Sequence, residues 1–298
     1  MKKNTLTITA VLFIVLCAYT NISAQLQTPA ASPFAKISQV VGISEVTIEY
    51  SRPGIKNRVI FGGLVPYKKI WRTGANASTI ISLNDDAVIE GNKVPAGKYS
   101  IYTIPDKKEW IIILNKNLKG GLYYPEGEDL CRFKVKPKQI KENVETFGIS
   151  FADVKTNNAN VELVWENTLV RFNILFDVDS KVMAQIEKEI SKPGLDANWY
   201  YQAGNYYYEN GKDLNKALEW MNKSLELNPG VYWVLRVKSQ IQAKLLDYAG
   251  AIETAQLGKV RSAEAKNTQF VQYNENSIKE WEKAMNVKTP KSKLKNKK

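Results

Sequence analysis

Residues 45–50 read Glu-Val-Thr-Ile-Glu-Tyr (EVTIEY), so that Val46, Ile48 and Tyr50 alternate with Glu45, Thr47 and Glu49. Successive side chains of a strand point to opposite faces, and this spacing places the apolar trio on one face. Similar short runs follow at Thr79–Leu83, Ala87–Glu90, Tyr99–Ile104, Trp110–Leu114, Glu145–Phe151, Val161–Trp165 and Leu169–Phe176. Turn chemistry separates them, as in Asn84-Asp85-Asp86 and Asn157-Asn158-Ala159-Asn160. Many short strands, frequent turns and no long helical pattern predict an antiparallel β-sandwich, jelly-roll-like, over residues 25–176. The strand order does not follow from the sequence.

The character changes near Asp177. Val182, Ile186 and Ile190 fall four apart, with Asp179 or Ser180 placed to cap a helix and Pro193-Gly194 to end it. Beyond lies a period of 34 residues: Trp199 recurs as Trp233, Asp213 as Asp247, Ala217 as Ala251 and Glu219 as Glu253. A small residue where two helices cross, with Pro229 closing the first unit, resembles the tetratricopeptide repeat. One extra residue between Gly211 and Ala217, and no second glycine, depart from that pattern. The reading is a helical domain over 177–285, with repeats at about 197–230 and 231–264. Two units bury too little surface alone, so helices at 180–190 and near 268–285 are expected to flank them. In the last, Ile278, Trp281 and Met285 share a face. An ordinary helical bundle with chance self-similarity is the competing reading.

The first residues read as an address. Lys2 and Lys3 precede a mostly apolar run from Leu6 to Tyr19, then Ile22-Ser23-Ala24. This is the order of a secretory signal peptide over 1–24, cleaved after Ala24, which implies an exported, periplasmic or extracellular chain. No later stretch is apolar enough for a transmembrane segment. Loss of the leader leaves Cys131 alone, so no intramolecular disulfide can form. The net charge of +12 is concentrated at the ends: Lys2 and Lys3 leave with the leader, and residues 286–298 hold six lysines and no acid, which leaves +4 on the body. That lysine-rich end reads as a disordered tail. No stripe of basic and aromatic residues marks a nucleic-acid reader.

The chemical inventory is narrow. With no histidine there is no Ser-His-Asp or Cys-His system and no histidine-ligated metal. Gly91–Tyr99 (GNKVPAGKY) has one residue too many before Gly-Lys for a phosphate loop, and a tyrosine where a hydroxyl ligand to magnesium belongs. No cofactor is implied. Three of the seven arginines fall between Tyr50 and Asn76, YSRPGIKNRVIFGGLVPYKKIWRTGAN. This segment, together with Pro95-Ala96-Gly97-Lys98-Tyr99-Ser100 through Ile104-Pro105 to Trp110, resembles the bacterial domain-of-unknown-function family 2911 over residues 33 to 176. The resemblance implies a β-rich exported domain, often followed by helical repeats, and lends no catalytic assignment.

Arginine offers a fixed fork of donors for carboxylate, phosphate or sulfate. Arg52, Arg58, Trp71, Arg72, Thr73 and Asn76 are therefore candidates to bind an anionic or carbohydrate ligand. The alternative is that the arginines pair with Glu49, Asp85 or Asp86 and pin a long connection to the sandwich. The acids of Tyr123–Asp129 read as a solvated loop, with Glu126 or Glu128 as a glycosidase acid the sharper alternative. Trp199, Tyr200, Tyr201, Tyr206, Tyr207 and Tyr208 exceed what one buried helix face holds. Trp199, Tyr200, Tyr207 and Trp233 are the candidates for holding a protein partner. The sequence thus points to an exported, non-catalytic binding or scaffolding protein that works through its helical repeats. An envelope enzyme or lectin-like module acting through Arg52–Asn76 is the other reading.

Overall fold

The computed structural model describes residues 26, 28–121 and 123–288; the expected leader, and the expected tail from residue 289 on, lie outside the described residues. The chain divides into two compact units, with the break between Val178 and Asp179.

The first unit is an antiparallel β-sandwich. Its strands are β1 Phe34–Val41, β2 Ser44–Ser51, β3 Thr79–Leu83, β4 Ala87–Ile89, β5 Asn92–Val94, β6 Gly97–Ile104, β7 Trp110–Asn115, β8 Asp129–Val135, β9 Lys138–Ala152 and β10 Asn158–Phe176. One sheet has the order β1-β2-β3-β6-β7-β8 and the other β5-β4-β10-β9. Neighbours in the first are neighbours in sequence, except that the β4–β5 hairpin leaves after β3 to extend the second. The alternation that announces β2 also positions it: Val46, Ile48 and Tyr50 face the core with Ile81, Ile101, Ile112 and Leu114, against Ile149, Val161, Leu163, Phe172 and Ile174 of the facing sheet.

Two expected strands, Val161–Trp165 and Leu169–Phe176, are one strand. Asn167-Thr168 resembles a turn in sequence, but the ladder with β9 continues through register shifts on both sides of Glu166, which adopts φ +49°. A bulge bends a strand without reversing it. β1, β5 and β8 do not stand out in the sequence because each lies at a sheet edge, where solvent-facing polar residues dilute the alternation.

The second unit is a run of six helices: α1 Val178–Glu189, α2 Ala197–Glu209, α3 Leu214–Leu227, α4 Tyr232–Lys244, α5 Tyr248–Glu264 and α6 Thr268–Lys288. Each of α2 to α5 packs against the next in the chain, and α4 also packs against α2 and α6. The repeat-related aspartates have a clear local task. Asp213 accepts from the amides of Asn215 and Lys216 at the start of α3, and Asp247 accepts from Gly250 at the start of α5. A capped amide is worth about 1 kcal/mol, and here it fixes where each second helix begins.

Ala217 and Ala251 are fully buried, as expected of small residues at crossings. Gly204 takes the same part on α2, where a Cβ would meet Met221 Cε at 2.9 Å and the Ala217 carbonyl at 3.1 Å. Ile186, Ala203, Tyr207, Trp220, Met221, Val234, Val237 and Ile241 form one core, so α1 closes the apolar face of the first helix pair. Trp281 with Ala251 and Ala255 forms a second, through which α6 closes the last. No helix among the described residues is long and apolar enough to cross a membrane.

Candidate functional site

The connection from Arg52 to Ser78 is held tightly to the sandwich. The amide of Trp71 donates to the Thr103 carbonyl at 2.8 Å and the Thr103 amide returns a bond at 2.9 Å, which extends the β6 ladder into the loop. The Trp71 ring then enters the core with Phe61, Trp110, Phe147 and Trp165, at centroid separations of 4.9–6.3 Å. Its indole N–H donates to the Gly74 carbonyl. Glu166 secures the other limb, its carboxylate accepting from the amides of Ile60 (2.8 Å) and Phe61 (3.3 Å).

The sequence candidates in this loop are thus placed as follows. Trp71 and Thr73 are buried and unavailable to a ligand. An aromatic core takes the first, and the hydroxyls of Thr73 and Thr103 lie 3.2 Å apart inside the fold. Thr73 also holds φ +56°, a region that costs a β-branched residue about 1–3 kcal/mol. Asn76 is exposed, and its amide donates to the Ser32 carbonyl and Ser51 hydroxyl. Arg52 donates to the Phe147 carbonyl, and Arg58 to the carbonyls of Ile55 and Gly54.

The pinning expected from carboxylates is therefore done by main-chain oxygens, because an irregular connection leaves buried carbonyls that need donors. Glu49 pairs with Lys36 instead, Asp86 accepts from the Ala96 amide, and Asp85 accepts from the Ser44 hydroxyl. Arg72 differs from the other two. Its Nε is buried without a hydrogen-bond partner, and no ion pair with it exists among the described residues.

The acidic loop is a closed network. Arg132 bonds Asp129 (2.6 Å), Glu126 (2.7 Å) and the Tyr124 hydroxyl, while Tyr124 donates to Asp129. Burial, then the bond to Asp129, pushes the Tyr124 hydroxyl well above the ordinary tyrosine range. Glu128 accepts from Asn117. No group of three His, Cys, Asp or Glu among the described residues is arranged to hold a metal ion.

The helical unit presents a different surface. Of the partner candidates, Tyr207 belongs to the core, its ring edge-on to Trp220 at 4.7 Å. Trp199 is half-buried and lines a cavity of about 250 Å³ between α1 and α2 with Val182, Ile186 and Tyr206. Tyr200 is half-buried beneath Lys223, and Trp233 is 44% exposed.

The groups that come together are ones the aromatic pattern alone does not single out. Tyr208 on α2, Gln240 and Lys244 on α4, and Ser277, Glu280 and Trp281 on α6 line a depression of about 320 Å³. Lys244 Nζ stands 4.2 Å from the Tyr208 ring centre, and the Arg236 guanidinium 4.4 Å from that of Tyr273. Each cation joins α4 to a flanking helix, a contact worth about 0.5–1 kcal/mol at exposed sites. Burial raises the Tyr208 hydroxyl pKa and the nearby Arg236 opposes the rise. The sequence signal that was available is that α4 carries Arg236, Lys238 and Lys244 and no acid.

Comparison with curated proteins gives no match. Among solved structures, the TPR2B-domain:pHsp70-complex of yeast Sti1 is similar at 18% identity and a TM-score of 0.31, over 36% of this chain and 82% of that one. Residues 32–174 match the family described as Protein of unknown function (DUF2911), so the chain carries a DUF2911 β-sandwich domain, followed by a helical region in which neighbouring helices pack in a repeat-like manner.

Proposed function

We propose that this is an exported, non-catalytic binding or scaffolding protein of the cell envelope, which holds a protein partner on the face shared by α2, α4 and α6. One observation carries the reading: three helices bring Tyr208, Gln240, Lys244, Arg236 and Tyr273 onto a continuous, partly exposed surface with aromatic and hydrogen-bonding groups already placed. Interfaces draw most of their energy from such aromatic and arginine anchors. The tetratricopeptide-like period of the sequence supports the same role, since stacked helix pairs offer a groove. Export rests on the leader-like residues 1–24.

The full chain and a variant carrying Tyr208→Ala, Gln240→Ala and Tyr273→Ala are compared in capture from native cell-envelope extract. Partners enriched by the full chain are expected to fall about tenfold with the variant at unchanged helicity. The mature N-terminus is expected at Gln25 by sequencing. Equal capture by both chains overturns the groove.

A second reading keeps the β unit as a module for an anionic or carbohydrate ligand, because Arg72, alone among the loop arginines, has a buried Nε without a hydrogen-bond partner and no ion pair among the described residues. A charged fork held without a counter-ion is suited to an oxyanion. Arg72→Gln is expected to abolish any ligand found in an anion and glycan screen of the full chain. A ligand bound equally well by that variant removes this reading.

A further inference from the structure

The edges of the two sheets are not equally closed. An edge strand offers unpaired main-chain groups, and proteins blunt it with shortness, charge, bulges or cover. β5 has three residues. β8 exposes Arg132 and Lys134. β9 pairs irregularly with β10, and the long connection covers its edge: the Phe147 amide donates to the Pro53 carbonyl and the Ile55 amide to the Glu145 carbonyl. β1 is blunted least. It runs eight residues, pairs with β2 in unbroken register, and carries one charge, Lys36, already paired with Glu49.

The hairpin geometry tells which groups of β1 face outward. The two-residue turn Gly42-Ile43 makes Val41 and Ser44 a hydrogen-bonded pair, so β1 bonds β2 through its odd-numbered residues. The bond from the Arg52 amide to the Pro33 carbonyl keeps the same phase. The amides and carbonyls of Phe34, Lys36, Ser38 and Val40 therefore point away from the sheet. Among the described residues only the Val40 carbonyl has a side-chain donor there, the Gln39 amide. Ala35 and Ile37 lean on the core, which puts the even-numbered side chains on the outer face, where Phe34 is 67% and Val40 58% exposed.

This edge is complementary to itself. Directly opposed residues of an antiparallel pair share a face, and alternate pairs exchange both main-chain bonds. A two-fold axis at Ile37 sets Phe34 against Val40 and Lys36 against Ser38 of a second copy, so outward groups meet outward groups. That register forms two apolar pairs and about eight main-chain hydrogen bonds. Moving the axis to Lys36 opposes two lysines, and moving it to Ser38 sets Phe34 against the Gly42 turn.

We propose that β1 is a self-association edge: two copies of the chain pair antiparallel through Phe34–Val40 about Ile37, joining two six-stranded sheets into one. A second copy is the occupant because the register that matches the apolar residues is also the one that opposes no like charges.

Sedimentation equilibrium of the purified full chain is expected to show a reversible monomer–dimer equilibrium. Ser38→Pro removes an outward amide that no bond within the sheet uses, and should weaken the dimer about tenfold. Ser38→Ala loses the side-chain contacts to Glu45 and Thr47 but keeps the amide, and should dimerise like the parent. Phe34→Glu and Val40→Lys, each present twice per dimer, should each weaken it about tenfold. The chain carrying both should recover most of the loss, since those positions face each other across the axis. Circular dichroism checks that each variant is folded; if Ser38→Pro is not, the exposed pair at 34 and 40 still decides. A chain monomeric up to about 100 μM overturns the proposal. So does a dimer indifferent to Phe34→Glu and Val40→Lys, or one that the double variant does not restore. Envelope capture lost with Ser38→Pro while the pure chain stays monomeric gives the edge to another protein and overturns self-pairing as well.

Discussion

Replacing Trp165 by alanine is expected to destabilise the β unit by about 3–5 kcal/mol, the range for deleting a buried aromatic side chain. Trp165 is 1% exposed, lies nearly parallel to Trp71 at 5.8 Å, meets Phe61 and Phe147 edge-on or tilted, and donates its indole N–H to the Glu145 carbonyl. Those neighbours belong to β9 and to the long connection, and Trp165 itself to β10, so a cavity there loosens all three. Chemical denaturation followed by circular dichroism would give the loss as a lower midpoint at unchanged slope. Trp165→Phe keeps much of the ring area and should lose clearly less. A Trp165→Ala midpoint matching the parent would mean that the aromatic cluster does not hold the connection in place.

Trp220→Ala should have an effect of similar size on the helical unit, again about 3–5 kcal/mol. Trp220 is 1% exposed, stands edge-on to Tyr207 and Trp199, and lies under the Lys216 ammonium at 5.5 Å. It fills the crossing of α2 and α3 beside Gly204, where no side chain exists to expand into the space. Unfolding monitored at 222 nm should show the loss. An unchanged midpoint would mean that the first helix pair repacks without it, contrary to the crossing described.

What could be read from the sequence follows the range of the interactions. Val46, Ile48 and Tyr50 announce a strand because alternation is local, and Asp213 and Asp247 announce helix starts for the same reason. Ala217 and Ala251 were legible as crossing residues through the 34-residue period. The single strand through Glu166 was not, because a bulge and a turn use similar residues and only a partner strand tells them apart. The roles of Trp71 and Thr73 were hidden likewise: a tryptophan beside an arginine looks the same whether it stacks on a ligand or on Trp165. The pairing of Lys244 with Tyr208 spans 36 positions between separate helices, and no local pattern records it. Tyr207 and Tyr208, adjacent in sequence, divide between core and surface according to which helix packs on α2.

The anchoring of the Arg52–Ser78 connection also bears on the order in which the chain acquires its structure. Its restraints come from far downstream: the Phe147 carbonyl for Arg52, the Glu145 carbonyl for the Ile55 amide, and the Glu166 carboxylate for Ile60 and Phe61. All three sit on β9 and β10, the last hairpin of the unit to leave the ribosome. Closing loops of about a hundred residues is slow and entropically costly before other contacts repay it. The connection therefore settles late, after that hairpin has docked. A nascent chain stalled before Glu145 would hold an unanchored, arginine-bearing strap, whose closure waits on the last hairpin of the β unit.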